Sequence, residues 1–313
     1  MTMAGASLRR GAFCLGNISK IIMESFRFEA LGTKWSIDID GKVLSKDDQR
    51  DILEYVGNFE ETFSRFKSGS EVNAFRKATA GVYPVSSEML ELLGQAELLR
   101  QLTEGAFNPA VAEILEKAGY DATYRLQEDA SVKNVELSHW SLSGGQLVLS
   151  GPITFDFGGI GKGYCIDKVA EILKAHGYDH FIVEGGGDMF ATSKADGSGF
   201  RVAVEWPGQP DMAVGVVELK NKGLAMSDRF RRQWGRWHHI IDTRTKESVA
   251  EVAGAVALAP TAWDADCATS GLFLASSERI SEVAERLGAE FLIFRSDGLV
   301  QQSTRWPGEV FVA

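Results

Sequence analysis

Only three cysteines stand in 313 residues: Cys14, Cys165 and Cys267. They are too few and too scattered for a disulfide framework or a thiolate zinc cluster, and such a chain suits a reducing compartment, the cytoplasm. Positive charge is scarce as well. Lys and Arg total 33 against 43 Asp and Glu, a formal net charge of −10, which argues against nucleic-acid binding or broad attraction to anionic membranes and confines any anion site to a local pocket. No apolar run approaches the length of a membrane helix, so no membrane insertion is expected. Residues 11–22 are interrupted by Asn17, Ser19 and Lys20 after Arg9 and Arg10, which does not suit a working signal peptide. Cys14 follows Gly-Ala-Phe, which does not suit a lipid anchor either. Residues 1–22 are expected to be a loose tail and 23–313 the folded domain, with Met23 as an alternative start.

What is present is ordinary globular composition, 44% hydrophobic and 24% charged, enough for one large core or two modest ones. The patterning predicts a strand over 26–39 broken at Leu-Gly-Thr, a helix over 47–66, and a helix over 87–102 closed by Gly105. A further helix starts at Pro109 and runs to 118. From Val135 the chain turns strand-rich, with strands expected at 181–183, 201–206, 216–219, 238–241 and 252–258. Helices over 263–275 and 277–287 follow, then strands at 291–295 and near 310. Strict strand–helix alternation is lacking, so the pattern favours a mixed α+β arrangement over a doubly wound parallel sheet.

The densest chemistry lies in Asp156-Phe-Gly-Gly-Ile-Gly-Lys-Gly-Tyr164. An expected strand over 147–157 precedes it, and a helical pattern through Ile166, Val169, Ala170, Ile172 and Leu173 runs up to Gly177. A glycine turn entering a helix aims free backbone N–H groups and the positive dipole end at an anion. It is not a P-loop, because Gly163 rather than Ser or Thr follows Lys162, and its glycines are spaced by two, unlike a dinucleotide fingerprint. The same glycines also suit a tight turn with close helix packing.

Two other clusters stand out. In Asp264-Ala-Asp-Cys-Ala-Thr-Ser270, Asp266 and Ser270 are four apart and share a helical face, so a carboxylate and a hydroxyl can reach one hard cation such as Mg2+. The alternative is that Asp264 or Asp266 merely caps the helix. In His238-His-Ile-Ile-Asp-Thr-Arg-Thr245, a strand would turn neighbouring histidines to opposite faces, so only one serves a given site. His239 could act as base and Asp242 as anchor, or both are ordinary surface and turn residues.

Taken in order, these segments resemble the ApbE-type family of FAD:protein FMN transferases. The matching blocks are Leu-Gly-Thr at 31–33, Phe-Ser-Arg-Phe-Lys-Ser-Gly-Ser-Glu-Val-Asn at 63–73 and Gly-Ala-Phe-Asn-Pro-Ala-Val at 105–111. They continue with 156–164 and Asp167, Gly-Gly-Gly-Asp at 185–188, His-Ile-Ile-Asp at 239–242, and 266–272. The resemblance implies a T-fold-like α+β architecture of mostly antiparallel sheets packed with helices. It implies an enzyme that takes FAD as substrate, uses Mg2+, and moves FMN onto a Ser or Thr hydroxyl of a partner flavoprotein with release of AMP.

Carried over by position, Leu31, Phe66, Ala106, Phe107, Asn108, Asp156, Lys162 and Ile241 are implied to contact FAD. The Gly159 carbonyl, Asp266 and Ser270 are implied metal ligands, and His239 the general base. The chain departs from the family pattern at Asn108, Ala110, Ala225-Met226-Ser227-Asp228, Thr243 and Lys246. Two alternatives share the same site: Mg2+-dependent hydrolysis of FAD to FMN and AMP, and flavin binding without catalysis.

Overall fold

The computed structural model describes residues 13–14 and 25–311. The tail expected over 1–22 lies outside these residues apart from a two-residue strand, Phe13–Cys14, which pairs with Met212 and Ala213.

An eight-stranded antiparallel sheet organises the chain. Its order is 300–302, 290–295, 252–259, 222–228, 188–191, 181–185, 33–39 and 25–30. Its strands alternate with period two between two cores. Leu224, Val256, Leu258, Leu292 and Phe294 point to one, which a second antiparallel sheet over 200–206 and 209–219 closes with Phe200, Val204 and Val217. Ala225, Ala255, Ala257, Phe291 and Ile293 point to the other, which helices cover. The small side chains on that face let a helix approach the sheet closely.

The helices are α1 (Lys46–Phe63), α2 (Ser87–Leu102), α3 (Ala112–Lys117), α4 (Gly161–Ala175), α5 (Ala262–Leu274) and α6 (Ile280–Arg286). Local sequence explains their ends. Ser45 caps α1 by accepting from Asp48 N–H, Ser86 caps α2 by accepting from Met89 N–H, and Gly177 at φ +78° closes α4. Ile52, Val56, Phe59 and Phe63 of α1 recur at helical spacing and are buried. A third apolar cluster gathers Ile114, Leu115, Tyr120, Trp234, Trp237 and Ile241 beside these layers.

Two expected strands are shorter than their patterns suggest. The strand expected over 147–157 covers only Gln146–Leu149, because Gly151 and Pro152 break the ladder. Beyond them, isolated bonds hold the chain, Ile153 N–H to Phe75 O (2.9 Å) and Asp156 N–H to Pro109 O (2.7 Å). The strand expected over 238–241 splits into Trp237–His238 and Ile241–Asp242, with His239 and Ile240 between them. There the Ile240 N–H turns back to His238 Nδ1 (3.2 Å) instead of continuing a ladder. The Pro109 helix opens as a 3-10 turn over Pro109–Val111 that α3 continues.

Candidate active site

α4 and α5 pack tightly at their N-terminal ends, and glycine permits it. A Cβ on Gly163 would lie 2.4 Å from Ala262 O and 2.7 Å from Asp266 Cβ. Close packing therefore accounts for this glycine, while the same contact puts Gly163 N–H 2.9 Å from Asp266 Oδ2. Helix capping does not account for Asp266. The α5 cap is Thr261, which accepts from Asp264 N–H (2.9 Å) and donates to Asp264 Oδ2 (2.8 Å). A further carboxylate, Asp167, accepts from Ala262 and Trp263 N–H at 2.9 Å each; burial raises its carboxyl to about 6 despite those bonds.

Asp266 instead belongs to a buried charge cluster. Lys162 Nζ stands 2.6 Å from Asp188 Oδ2 and 3.7 Å from Asp266 Oδ1, and both carboxylates are 1% exposed. Burial and the nearby Asp188 charge push the Asp266 carboxyl up, against the pull of Lys162. Burial disfavours the Lys162 ammonium, but Asp188 and Asp266 outweigh it and hold its pKa above the ordinary lysine value. Asp188 also accepts from Met226 N–H (3.3 Å).

One helical turn after Asp266, Ser270 Oγ donates to the Gly159 carbonyl (2.6 Å), while Thr269 Oγ1 lies 3.0 Å from Ser227 Oγ. Carboxylate, hydroxyl and carbonyl oxygens gathered at one helix junction are the donor set a hard divalent cation takes, and a buried carboxylate that already draws an ammonium fits one. A separate cluster, Asp48, Asp51 and His176, is surface-bound and tied into the α1 cap, with Ser45 and Tyr178 donating to Asp48. It contains none of the expected ligands.

Asp156 is fixed from two sides. Arg65 Nε donates to its Oδ2 (2.6 Å) and Gly158 N–H to its Oδ1 (2.7 Å). Arg65 is buried, donates to Tyr120 O (2.7 Å), and lays its guanidinium over the Phe66 and Tyr120 rings at 4.2 and 5.0 Å. Phe66 stacks further on Tyr124 (5.7 Å). Asn108 caps the 3-10 turn, its Oδ1 accepting from Ala110 N–H and Trp140 Nε1–H at 3.0 Å each. Ala106 and Phe107 are buried, and Ala106 O accepts from Thr243 N–H (3.0 Å). Phe107 lies 3.6 Å from where a Gly159 Cβ would sit.

The histidines have separate environments. His238 is buried, with Nε2 on Val249 O (2.8 Å) and Nδ1 on Ile240 N–H. His239 is half-buried, and its Nδ1 is a buried atom with no hydrogen-bond partner. Burial, then the positive charges of Arg232 and Lys162 together with His238, lower its pKa to about 3. The ring is therefore neutral. Ile241 is buried in the third cluster, and Asp242 is held by Arg244 at 2.7 Å.

Leu31 lies apart from the charge cluster. It occupies the hairpin turn at φ +52°, with its N–H on Glu60 Oε2 (3.1 Å). Beside it opens a cavity of about 670 Å³ lined by Gly32, Thr33, Glu60, Glu184, Gly187 and Arg231, among others. The Gly185–Asp188 turn joins the two regions, since Gly187 borders the cavity while Asp188 reaches Lys162. The structure thus brings Gly159, Lys162, Asp266 and Ser270 together, with Asp156 on the same loop. Sequence reasoning gave no role to Arg65, Asp188 or Arg232, although Arg65 and Asp188 stand inside recognisable blocks.

Fold and site together define an α+β protein with a buried Lys162–Asp188–Asp266 cluster where a glycine-rich loop enters α4. The chain belongs to the ApbE family, whose model matches residues 31–293. It is 27% identical over 304 residues to the FAD:protein FMN transferase of Haemophilus influenzae, covering 88% of each chain. Its identity to the enzyme of that name from Vibrio cholerae is 26% over 274 residues, covering 82% of each. Among solved structures, the flavin transferase ApbE of Vibrio cholerae superposes with a TM-score of 0.78 at 25% identity, covering 89% of this chain and 96% of that one. The ApbE protein of Thermotoga maritima superposes at 0.79 and 24%, covering 91% and 98%. Among the described residues, no helix is long and apolar enough to cross a membrane.

Proposed function

We propose that this protein is a Mg2+-dependent FAD:protein FMN transferase. In this reading it moves FMN from FAD to a Ser or Thr hydroxyl of a partner flavoprotein and releases AMP. The observation that carries the reading is the buried Lys162–Asp188–Asp266 cluster at the entrance of α4, in a chain whose relatives bear that name. A pyrophosphate diester needs this combination of fixed cation, backbone donors and oxygen ligands.

Asp266, Ser270 and the Gly159 carbonyl would hold Mg2+, which when bound neutralises charge on the pyrophosphate oxygens. Lys162 binds a phosphate oxygen from the other side and is kept protonated for that task by its two carboxylates. Leu31, Phe66, Ala106, Phe107, Asn108 and Ile241 line the flavin nucleotide, and Asp156 is presented to it in one orientation by Arg65. His239 takes the proton of the incoming hydroxyl as that oxygen forms a bond to the FMN-side phosphorus. The phosphoanhydride bond breaks, and AMP leaves with its electron pair. The unpartnered Nδ1 and neutral ring support this role, and the negative charge of a bound pyrophosphate raises the proton affinity that burial, and after it Arg232 and Lys162, hold down.

Chromatographic counting of AMP tests the reading. With FAD, Mg2+ and a panel of candidate acceptor flavoproteins, one AMP should appear for each flavin-modified acceptor, and none after chelation. AMP formed at the same rate without any acceptor would show a hydrolase instead.

A further inference from the structure

We propose that Arg232 is a substrate-binding residue that holds the dianionic pyrophosphate of FAD. The inference rests on the transferase reading above and adds a contact made by neither Lys162 nor the metal ligands. Two consecutive arginines behave differently. Arg231 is saturated, donating to Gly186 O (2.9 Å) and Glu205 (2.7 Å) and pairing with Asp228 (3.2 Å). Arg232 is half-buried, and among the described residues its guanidinium makes no side-chain hydrogen bond or salt bridge. Its nitrogens are not among the buried unpartnered atoms, so they reach solvent, and a permanently charged guanidinium with five donors and no protein partner is available to an anionic ligand.

Its position says which ligand. The Arg232 carbonyl accepts from His239 N–H (3.3 Å), and the next residue, Gln233, pairs with His238, so the backbone is pinned beside the histidine. Its positive charge is felt at His239, at Lys162 and at Tyr120, which lines the Arg65 side of the site. Charge balance agrees. The carboxylates of Asp188 and Asp266 plus a dianionic pyrophosphate exceed the charges of Lys162 and a divalent cation by one, and a buried site tolerates an excess charge poorly. Arg232 supplies the missing positive charge. A guanidinium also matches two phosphate oxygens at once.

Fluorescence titration of FAD and riboflavin against wild type, Arg232→Gln and Arg232→Lys, with thermal melts as a folding control, tests this. Arg232→Gln should weaken FAD binding by about 10- to 100-fold, the loss of a charge-assisted contact, and leave riboflavin binding unchanged. Arg232→Lys should recover part of the loss. The His239 ring, followed by NMR, should titrate higher in Arg232→Gln than in wild type. Unchanged FAD affinity in Arg232→Gln, or equal loss of FAD and riboflavin, overturns the proposal. If wild type itself bound FAD no better than riboflavin, the transferase reading would fail first, so the two failures are distinguishable. Should Arg232→Gln not fold, Arg232→Lys decides, because full FAD affinity or equal loss of both ligands in that variant overturns the bidentate contact.

Discussion

The Lys162 ammonium lies 2.6 Å from the Asp188 carboxylate, which is 1% exposed. That pair ties the start of α4 to the Gly185–Asp188 turn and, through Lys162, to α5. Removing the lysine leaves two buried carboxylates without their ammonium partner, so Lys162→Ala should destabilise the protein by about 3–5 kcal/mol, the usual cost of breaking a buried pair. It should also weaken FAD more than riboflavin. Calorimetric unfolding and flavin titration check both, and equal weakening of the two ligands would place Lys162 outside the phosphate site.

Asp266→Ala should abolish Mg2+ binding in the FAD complex, because it removes the one carboxylate assigned to the metal. Ser270→Ala should be milder, since hydroxyls are weaker ligands and water can replace them. Titration calorimetry would show this. Because burial pushes the Asp266 carboxyl up, protons compete with the metal, and Mg2+ affinity should rise as pH is raised through neutrality. Affinity independent of pH would contradict the assignment.

Gly163→Ala tests the helix junction. The new methyl would meet Ala262 O at 2.4 Å, a backbone atom that cannot rotate away. A loss of about 1–3 kcal/mol in stability is expected, with weaker metal binding as α4 and α5 part. An unchanged melting temperature would show that the two helices are not locked at this point.

The histidines should separate in mutagenesis. His239→Gln should retain flavin and metal yet lose about 10²–10⁴-fold in single-turnover transfer, the usual contribution of a general base. Because only one of the two neighbouring histidines can face the site, the sequence leads one to expect His238→Gln to transfer at near the wild-type rate. The structure gives it a different task, linking Val249 O and Ile240 N–H, so His238→Gln should cost about 1 kcal/mol of stability while transfer chemistry persists.

Acid sensitivity provides an independent check. The His239 pKa is lowered to about 3 mainly by burial, so folding favours the neutral ring. Its contribution to stability is present above the unfolded value of about 6.5 and is lost as pH falls toward 3. Asp167, raised to about 6, works the other way, because folding favours its protonated form and its contribution is lost as pH rises through 6. His239→Gln should therefore gain stability relative to wild type between pH 7.5 and pH 4.5. A difference in melting temperature that does not move with pH would contradict the burial of this ring.

Much of the fold is legible where local chemistry decides it. Ser86, Gly105 and a leucine stripe mark the ends and buried face of α2, and Gly177 marks the end of α4. The strands 188–191 and 222–228 escape notice because they are short or alternate alanine, methionine and serine with little polar contrast. The 147–157 stretch misleads for the opposite reason. Its alternation is strand-like, yet Gly151 and Pro152 end pairing after Leu149. At the site, ordered blocks reveal Asp156, Lys162, Asp266 and Ser270. Their partners depend on tertiary contacts with no local signature: Arg65 reaches Asp156, and Asp188 reaches Lys162, across long stretches of chain.

The most direct test of FMN transfer is the intact mass of an acceptor flavoprotein after incubation with this protein, FAD and Mg2+. The account predicts a gain of one covalently attached FMN on a single Ser or Thr, absent when that residue is replaced by Ala and absent with Asp266→Ala enzyme. An acceptor of unchanged mass while FAD is converted to FMN and AMP would contradict it.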